Sequence, residues 1–483
     1  MPNPAPVAVA PVAPVPVAAV PVAATLGTRR WLMLAVLLTG GFLPPVDFFI
    51  VNVALPSIRQ GLGASPAQVQ LVISGYAAAY AVFLVTGGRL GDLYGRRRMF
   101  MLAMAGFTAA SALCGLAASA GLLVLARIGE GVAAALLAPQ VLGAIRALHD
   151  APGQEAALAR ALGVYGAMMG LAAAVGQLGG GVLVAWSPLG LGWRAVFLVN
   201  LPIGAVAMLG AWLLLAETSA AHRPRLDLAG AALLSAALAC LVVPLSEGRQ
   251  DGWPVWTFVA LAAAPALLWA FLRHEDRLGA RGGMPLLDLG LLAIPGFRRG
   301  VLVASLFFFT SAFYLLFALE RQDGAGLGPL GTGLAILPYG VGLFLGPLAS
   351  APLLRRFGLR LLAAGLAIEV AGYIAIGLAV ADSVGAVPLA AAVFVAGFGQ
   401  GVAMPRLFNL VLAEVPARQG GVAAGVVNSV LQIGAALSVA GIGSLFFAVL
   451  GGGSGPAAYA HAFGVAMIAV VAALAGAAAL AWS

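Results

Sequence analysis

The sequence contains no lysine, only two cysteines and few charges of either sign: 9% of its 483 residues are charged, against about 25% in an ordinary soluble domain. The hydrophobic fraction is 62%. A chain of this length with so few polar residues cannot build a water-facing surface over its core, which excludes a soluble globular protein. Cys114 and Cys240 both lie in apolar stretches, so no disulfide framework is implied and both read as small buried side chains. No Gly-Lys-Ser/Thr phosphate loop is present, which argues against direct ATP drive. The four histidines (149, 222, 274 and 461) are scattered and mostly in loops, which argues against metal catalysis. Neither a metal nor any other cofactor is expected, and nothing points to an enzyme.

What the sequence has in quantity is apolar runs. From Trp31 onward fourteen stretches are long enough to cross a hydrocarbon core, which takes roughly 20 residues of helix. They fall near 31–54, 67–89, 99–118, 121–146, 159–185, 194–216, 228–246, 254–272, 299–319, 328–352, 359–381, 386–405, 420–449 and 459–482. Backbone groups in lipid must pair within their own segment, so each span reads as a helix. Residues 1–27 are a Pro/Ala/Val tail whose prolines prevent a continuous helix, and polyproline II or disorder is expected there. The tail lacks the basic region and unbroken apolar core of a signal peptide.

The formal net charge is +8 and every basic side chain is arginine. Such a balance can signal nucleic acid, but here the arginines sit in short segments between spans, so no nucleic-acid partner is expected. With the N-terminus inside, twenty of the 25 arginines fall on the cytoplasmic side, four outside, and Arg127 within a span. This bias predicts an even number of spans and two cytoplasmic termini.

Gly88-Arg-Leu-Gly-Asp92-Leu-Tyr-Gly95-Arg96-Arg97-Arg98 joins spans 2 and 3, and a weaker Leu354-Arg355-Arg356-Phe-Gly358-Leu-Arg360 joins spans 10 and 11. The match between the loops suggests an internal repeat of the kind that builds many secondary transporters. Residues 28–220 then form one six-helix bundle and 297–483 a second. Residues 221–296 hold two inserted spans and a cytoplasmic loop.

The Gly88–Arg98 segment resembles the signature loop of the major facilitator superfamily. Val46-Asp47-Phe-Phe-Ile-Val-Asn52-Val-Ala-Leu-Pro56, Trp193-Arg194-Ala-Val-Phe197-Leu-Val-Asn200-Leu-Pro202-Ile-Gly204 and Glu414-Val-Pro416 with Gly420–Gly425 resemble its fourteen-span drug:proton antiporters. The resemblance runs from Trp31 to the C-terminus and implies an all-α membrane protein of the major facilitator fold. It implies export of small hydrophobic or cationic compounds from a bacterial cell by a monomer in the inner membrane, driven by a proton gradient. Two departures stand out. Arg127-Ile-Gly-Glu130-Gly131 has Glu130 where the family has Gln. Gly176-Gln177-Leu-Gly179-Gly180-Gly181 has Gln177 where its antiporter motif has Pro, which weakens the case for antiport. A narrow-substrate metabolite exporter, a proton symporter and a membrane sensor or scaffold without transport are the alternatives.

Ionisable side chains inside a membrane are costly and mark functional candidates. Asp47, Arg127, Glu130 and Glu369 qualify. The first three are expected to cluster, either as a structural ion pair or as a proton-coupling site, with Asp47 and Glu130 also facing substrate. Gly40-Gly41 and Pro44-Pro45 are expected to interrupt span 1 just before Asp47. Phe307, Phe308, Phe309, Phe313 and Tyr314 are candidates for an aromatic substrate pocket, or else for packing. Glu369 lies mid-way along span 11, and Arg406 follows Pro405 at the end of span 12. Asp92 is expected to gate the cytoplasmic side by meeting the start of span 13, held in place by Arg96, with Gly88 and Gly95 allowing the tight turn.

Overall fold

The computed structural model describes residues 26–148, 155–217, 227–248, 252–283, 285–357, 360–412, 414–415 and 420–482. The Pro/Ala/Val tail lies outside these, apart from its last two residues. Fourteen membrane-length helices follow one another: α1 (Leu26–Leu62), α2 (Pro66–Tyr94), α3 (Arg96–Gly115), α4 (Ala120–Ala147), α5 (Glu155–Trp186), α6 (Gly192–Leu214), α7 (Leu228–Glu247), α8 (Val255–Ala280), α9 (Pro295–Gly324), α10 (Pro329–Phe357), α11 (Leu361–Ala381), α12 (Ala386–Leu412), α13 (Gly420–Leu450) and α14 (Pro456–Trp482). Thirteen are apolar enough along their described length to span a membrane, and α5 carries the apolar segment Gly170–Trp186 within a helix of 32 residues.

Contacts sort these helices into two bundles. Within α1–α6, α2 packs on α4, α1 on α5 and α6, and α3 on α4 and α6. Within α9–α14, α10 and α11 pack on α12, and α14 on α9, α11 and α13. The bundles meet through α5 on α10, α2 on α13 and α1 on α9, while α7 lies against both α2 and α13 with α8 beside it. The inserted pair therefore flanks the seam instead of floating apart from it. Its base is tied down by polar contacts. Asp227 caps α7 by accepting from the Gly230 N–H at 2.9 Å and lies 2.8 Å from His274 Nε2, and Glu275 accepts from the Leu287 N–H at 2.7 Å. Arg89, near the end of α2, donates to the Pro285 carbonyl.

Lipid offers no hydrophobic drive for helix association, so close approach of small residues matters more than in water. The α5–α10 seam follows this rule. A Cβ on Gly340 would lie 2.6 Å from Ala174 Cα, and one on Gly181 2.7 Å from the Pro329 carbonyl oxygen. Direct side-chain hydrogen bonds between the bundles, among the described residues, cluster at the end opposite the arginine-rich one. Arg59 pairs with Asp323 at 3.2 Å, Gln322 donates to the Val53 carbonyl at 2.8 Å, and Ser444 donates to Gln70 at 3.3 Å.

Two expectations need correction. First, α1 is unbroken from Leu26 to Leu62 and runs through Pro44, Pro45 and Pro56. Prolines are tolerated in membrane helices, and Tyr76 of α2 ties this stretch of α1 to its neighbour by donating to the Pro44 carbonyl at 3.3 Å. Regular winding is lost in α9 instead, through a 3-10 turn at Phe308–Ser311 and a π turn at Glu320–Gly324. Ser438 of α13 serves the first of these, donating to the Phe309 carbonyl and accepting from the Ala312 N–H.

Second, the turn between α2 and α3 is a single residue. Gly88 and Asp92 lie inside α2, and only Gly95 has a positive φ, 96°. At the same end Arg96 donates to the Gly143 carbonyl of α4 at 2.6 Å; its expected partner Asp92 has its side chain outside the described residues. A described carboxylate at this end is Glu217, after α6. It accepts from the N–H groups of Arg97 and Arg98 at 3.1 and 3.2 Å, where the first turn of α3 presents unpaired amides and a partial positive charge. The positive φ is what calls for glycine at position 95.

The α5–α10 seam gives a direct test. Gly340→Leu is expected to force α10 off the α5 backbone and destabilise the protein by about 1–3 kcal/mol, seen as a lower thermal unfolding midpoint in detergent. A midpoint equal to wild type would mean that the helices do not pack this closely.

Candidate functional site

Asp47 of α1, Arg127 and Glu130 of α4 converge in the first bundle, and all three are fully buried. Arg127 Nη1 donates to Asp47 Oδ2 and also to Glu130 Oε2, the latter at 2.7 Å. The i,i+3 spacing puts Arg127 and Glu130 on one helical face, and α1 brings Asp47 to it. Because α1 extends beyond the expected span, Asp47 is fifteen residues from its end at Leu62, roughly 22 Å at 1.5 Å per residue.

Residues the sequence reading had not assigned complete the cluster. Asn200 of α6 bridges, donating to Asp47 Oδ1 at 3.1 Å and to Ser111 Oγ of α3 at 2.9 Å, while Ser111 donates to the Phe197 carbonyl at 3.0 Å. Arg127 Nε donates to the Val72 carbonyl at 3.2 Å, and its guanidinium stands 4.2 Å from the centroid of the Tyr76 ring. Cys114 Sγ donates to Glu130 Oε2 at 3.4 Å. A Cβ on Gly131 would lie 2.4 Å from the Tyr76 carbonyl oxygen, so α2 and α4 touch through backbone at the site. Among these residues, Asn200 stood in a segment that resembled the family, but its spacing alone gave no role. Tyr76 and Ser111 carried no signal, being ordinary neutral residues of their spans.

Charge balance decides what the cluster can do. One guanidinium faces two carboxyl groups. If both acids were ionised, a net negative charge would sit in a low-dielectric interior at a cost of several kcal/mol. A proton on one acid, or an incoming cation, removes that charge. Glu130 Oε1 and Arg127 Nη2 are both buried without a hydrogen-bond partner among the described residues, so the cluster has unused capacity for a further polar contact.

The remaining candidates fall in separate places. Gly176 and Gly180 of α5 press on α1 at Phe49 and Ile50, whereas Gly181 faces α10. Gln177 between them is fully buried, and neither polar atom of its side-chain amide has a partner among the described residues. Phe307 and Phe313 are buried inside the second bundle, where Phe313 packs on Phe317, Tyr339 and Tyr373 at centroid distances of 5.1–5.3 Å. Their packing takes the place of the expected pocket wall. Tyr314 does reach the bundle interface, with its ring edge-on to Phe49 of α1 at 5.0 Å, and Phe308 is half-buried near Gly434 of α13. Arg406 Nε donates to Ser350 Oγ of α10 at 3.2 Å. Glu369 is fully buried in α11, away from the Asp47 cluster. The side chain of Asp92 lies outside the described residues.

The charge argument predicts an order of stabilities. Arg127→Met should destabilise the protein by about 3–5 kcal/mol, because it strands buried carboxyls. The triple variant Arg127→Met/Asp47→Asn/Glu130→Gln should recover much of that loss in the same thermal unfolding measurement. A single Arg127→Met variant as stable as wild type would refute the balance.

Comparison with known proteins follows the geometry. Residues 37–439 match the family model described as Major Facilitator Superfamily. The chain is 41% identical over 428 residues to a probable actinorhodin transporter of Streptomyces coelicolor, covering 88% of this chain and 73% of that protein. It is 36% identical to the puromycin resistance protein pur8 of Streptomyces alboniger, covering 85% and 81% of the two chains. It is 32% identical to the tetracenomycin C resistance and export protein of Streptomyces glaucescens, covering 88% and 77%. Among solved structures, a bacterial homolog to the human lysosomal transporter Spinster, inward-facing and unoccupied, superposes with a TM-score of 0.68 over 95% of this chain and 97% of that one, at 18% identity. Two six-helix bundles, the first with a buried ionic cluster at its centre, a flanking helix pair, the family match over residues 37–439 and these relatives lead to one conclusion: the chain belongs to the major facilitator superfamily.

Proposed function

We propose that this chain is a proton-coupled exporter of small organic molecules, working by alternating access between two bundles. The observation that carries the reading is the buried Asp47–Arg127–Glu130 cluster, with two acids to one base. Its neutral form holds one proton. A cationic or strongly polar substrate arriving beside it compensates the charge and releases that proton, and substrate departure lets a proton return. Proton and substrate thus exclude each other at one site, which is the minimal requirement for exchange. The relatives are named as transporters or resistance proteins for actinorhodin, puromycin and tetracenomycin C, so bulky organic compounds are the substrate class to try first.

The arginine-rich end is taken as cytoplasmic, with both termini there, in a bacterial inner membrane. The Arg59–Asp323 and Gln322–Val53 contacts then hold the external side closed. Opening outward must break them. A partly exposed ion pair such as Arg59–Asp323 holds the closed state by about 0.2–1 kcal/mol, a gate weak enough to open in each cycle. Asp92 and Arg96 belong to the opposite, cytoplasmic gate in this reading. The glycines of α5, set against α1 on one face and α10 on another, provide a smooth surface on which the bundles rock. The protein acts as a monomer, on small-molecule substrates and protons, with no cofactor.

Reconstitution into liposomes with an imposed pH gradient tests this, using actinorhodin, puromycin and tetracenomycin C as a panel. Wild type should move at least one of them against its gradient, and dissipating the pH gradient should stop it. Asp47→Asn should remain folded and lose most of this flux, because an amide cannot cycle a proton. Glu130→Gln should keep some flux with an altered pH profile. Full pH-driven flux in Asp47→Asn would remove the cluster from the mechanism.

A further inference from the structure

The second bundle has a polar centre of its own. Helices α2 and α10 are both 29 residues long, both begin with proline, and both carry tyrosine at the eleventh position, Tyr76 and Tyr339. Each of these tyrosines is buried, at 1% and 0% exposure, and each joins its bundle's buried polar groups. Tyr76 lies under Arg127. The hydroxyl of Tyr339 is 2.8 Å from that of Tyr373 on α11 and donates to Gln400 Oε1 on α12 at 2.9 Å. Gln400 in turn donates to Thr310 on α9 at 3.0 Å, and the Tyr314 hydroxyl donates to Gln400 at 3.4 Å.

Glu369 belongs to this centre. It lies one helical turn before Tyr373 on α11, with the α12 backbone at Gly399 so close that a Cβ there would lie 2.4 Å from Glu369 N. Its carboxyl is close enough to Tyr314, Tyr339 and Tyr373 to act on each electrostatically. It is fully buried, and neither carboxyl oxygen has a hydrogen-bond partner among the described residues. Those three hydroxyls are the titratable groups near it. No charged side chain faces it from α10, α12 or α14 among the described residues. Where the first bundle sets two acids against a base, the second has one acid and no base. An isolated ionised carboxylate in such a place is not sustainable, so the group stays neutral by carrying a proton. An acid maintained there for packing alone is a poor choice, since an apolar residue or glutamine avoids the cost.

We propose that Glu369 is a second proton-carrying site, loaded in this conformation and set one helical turn from the hydrogen-bonded Tyr373–Tyr339–Gln400 chain that reaches Tyr314 at the bundle interface. When rocking of the bundles admits water or a cationic substrate beside the chain, the O–H bond of Glu369 breaks. The proton passes to water, and the electron pair remains as a carboxylate whose charge the entering cation balances. The site reloads when that cation leaves. The proposal rests on the proton-exchange reading above, and it adds a proton that the Asp47 cluster does not carry.

The test needs no identified substrate. Full-length protein in detergent is titrated from mildly acidic to alkaline pH, with infrared difference spectra and proton counts, for wild type, Glu369→Gln and Asp47→Asn. At neutral pH wild type should show a protonated-carboxyl C=O band that Glu369→Gln lacks. On alkalinisation that band should disappear reversibly, and Glu369→Gln should release one proton fewer than wild type. Glu369→Asp should shift the band without abolishing it, which also covers the case in which the glutamine variant does not fold. The proposal is overturned if wild type and Glu369→Gln release equal numbers of protons, or if the band persists unchanged at all pH values as that of a permanently neutral packing residue. A deficit in Asp47→Asn alone would leave the first-bundle reading standing and remove Glu369. A deficit in Glu369→Gln alone would do the reverse.

Discussion

The arrangement of the first bundle depends on the burial of one guanidinium. Arg127 is among the largest fully buried side chains of the protein, and a buried positive charge is tolerated only with opposite charge and hydrogen bonds at short range. Helix positions around it meet that demand. α1 brings Asp47, the next turn of α4 brings Glu130, α2 offers the Val72 carbonyl and the face of Tyr76, and α6 holds Asp47 through Asn200. Four helices are thereby fixed relative to one another by a single residue. The same constraint creates function, because satisfying Arg127 with two acids overshoots by one charge. A purely structural solution would use one acid. The surplus carboxyl makes the cluster depend on a mobile cation, and in a membrane the most available one is the proton.

The seam between the bundles follows a different rule. Within each bundle, polar groups and aromatic rings interlock, whereas along α5 and α10 the contact is glycine and alanine against backbone. Interlocked side chains hold one arrangement, while smooth small-residue surfaces tolerate sliding at little cost. Among the described residues, the side-chain hydrogen bonds that cross directly between the bundles are few and sit at one end. Rigid units joined by a smooth seam and a weak latch can rock without unfolding. The helix pair α7–α8, lying against both α2 and α13, contacts both sides of this seam, and Arg89 ties its base to α2.

Much of this was legible in the sequence. Fourteen spans follow from apolar run length, and Asp47, Arg127 and Glu130 stand out because ionisable residues are so rare in those runs. What the sequence hid was neutral or three-dimensional. Prolines at 44 and 45 looked like a break, yet α1 continues through both, with Tyr76 of α2 bonded to the Pro44 carbonyl. The break in α9 left no proline to mark it, since the 3-10 turn at Phe308–Ser311 is held by Ser438 from a helix more than a hundred residues away. The signature loop looked like a loop because of its glycines, but only Gly95 leaves helical geometry, and Glu217, which secures α3 beside it, lies beyond the motif. The aromatic run of α9 was ambiguous by nature. Phe313 packs inward on Phe317 and Tyr339, while its neighbour Tyr314 meets Phe49 of the opposite bundle.

The two halves show how a repeated scaffold acquires asymmetric chemistry. Tyr76 and Tyr339 occupy equivalent positions, and each is the aromatic neighbour of its bundle's polar centre. Around Tyr76 stand a base and two acids. Around Tyr339 stand two further tyrosines, a glutamine and one lone acid. Hydroxyls and amides can accept or donate, so they accommodate either charge state of a nearby carboxyl more easily than a fixed cation does. The Arg127 centre is therefore the rigid one, with its charge pinned and its ligands fixed. In the proposed cycle the Glu369 centre is the adaptable one, with hydroxyls that can reorient as a proton arrives or leaves. Exchange across a membrane needs both properties, because a site that binds tightly enough to select must be paired with one that can let go.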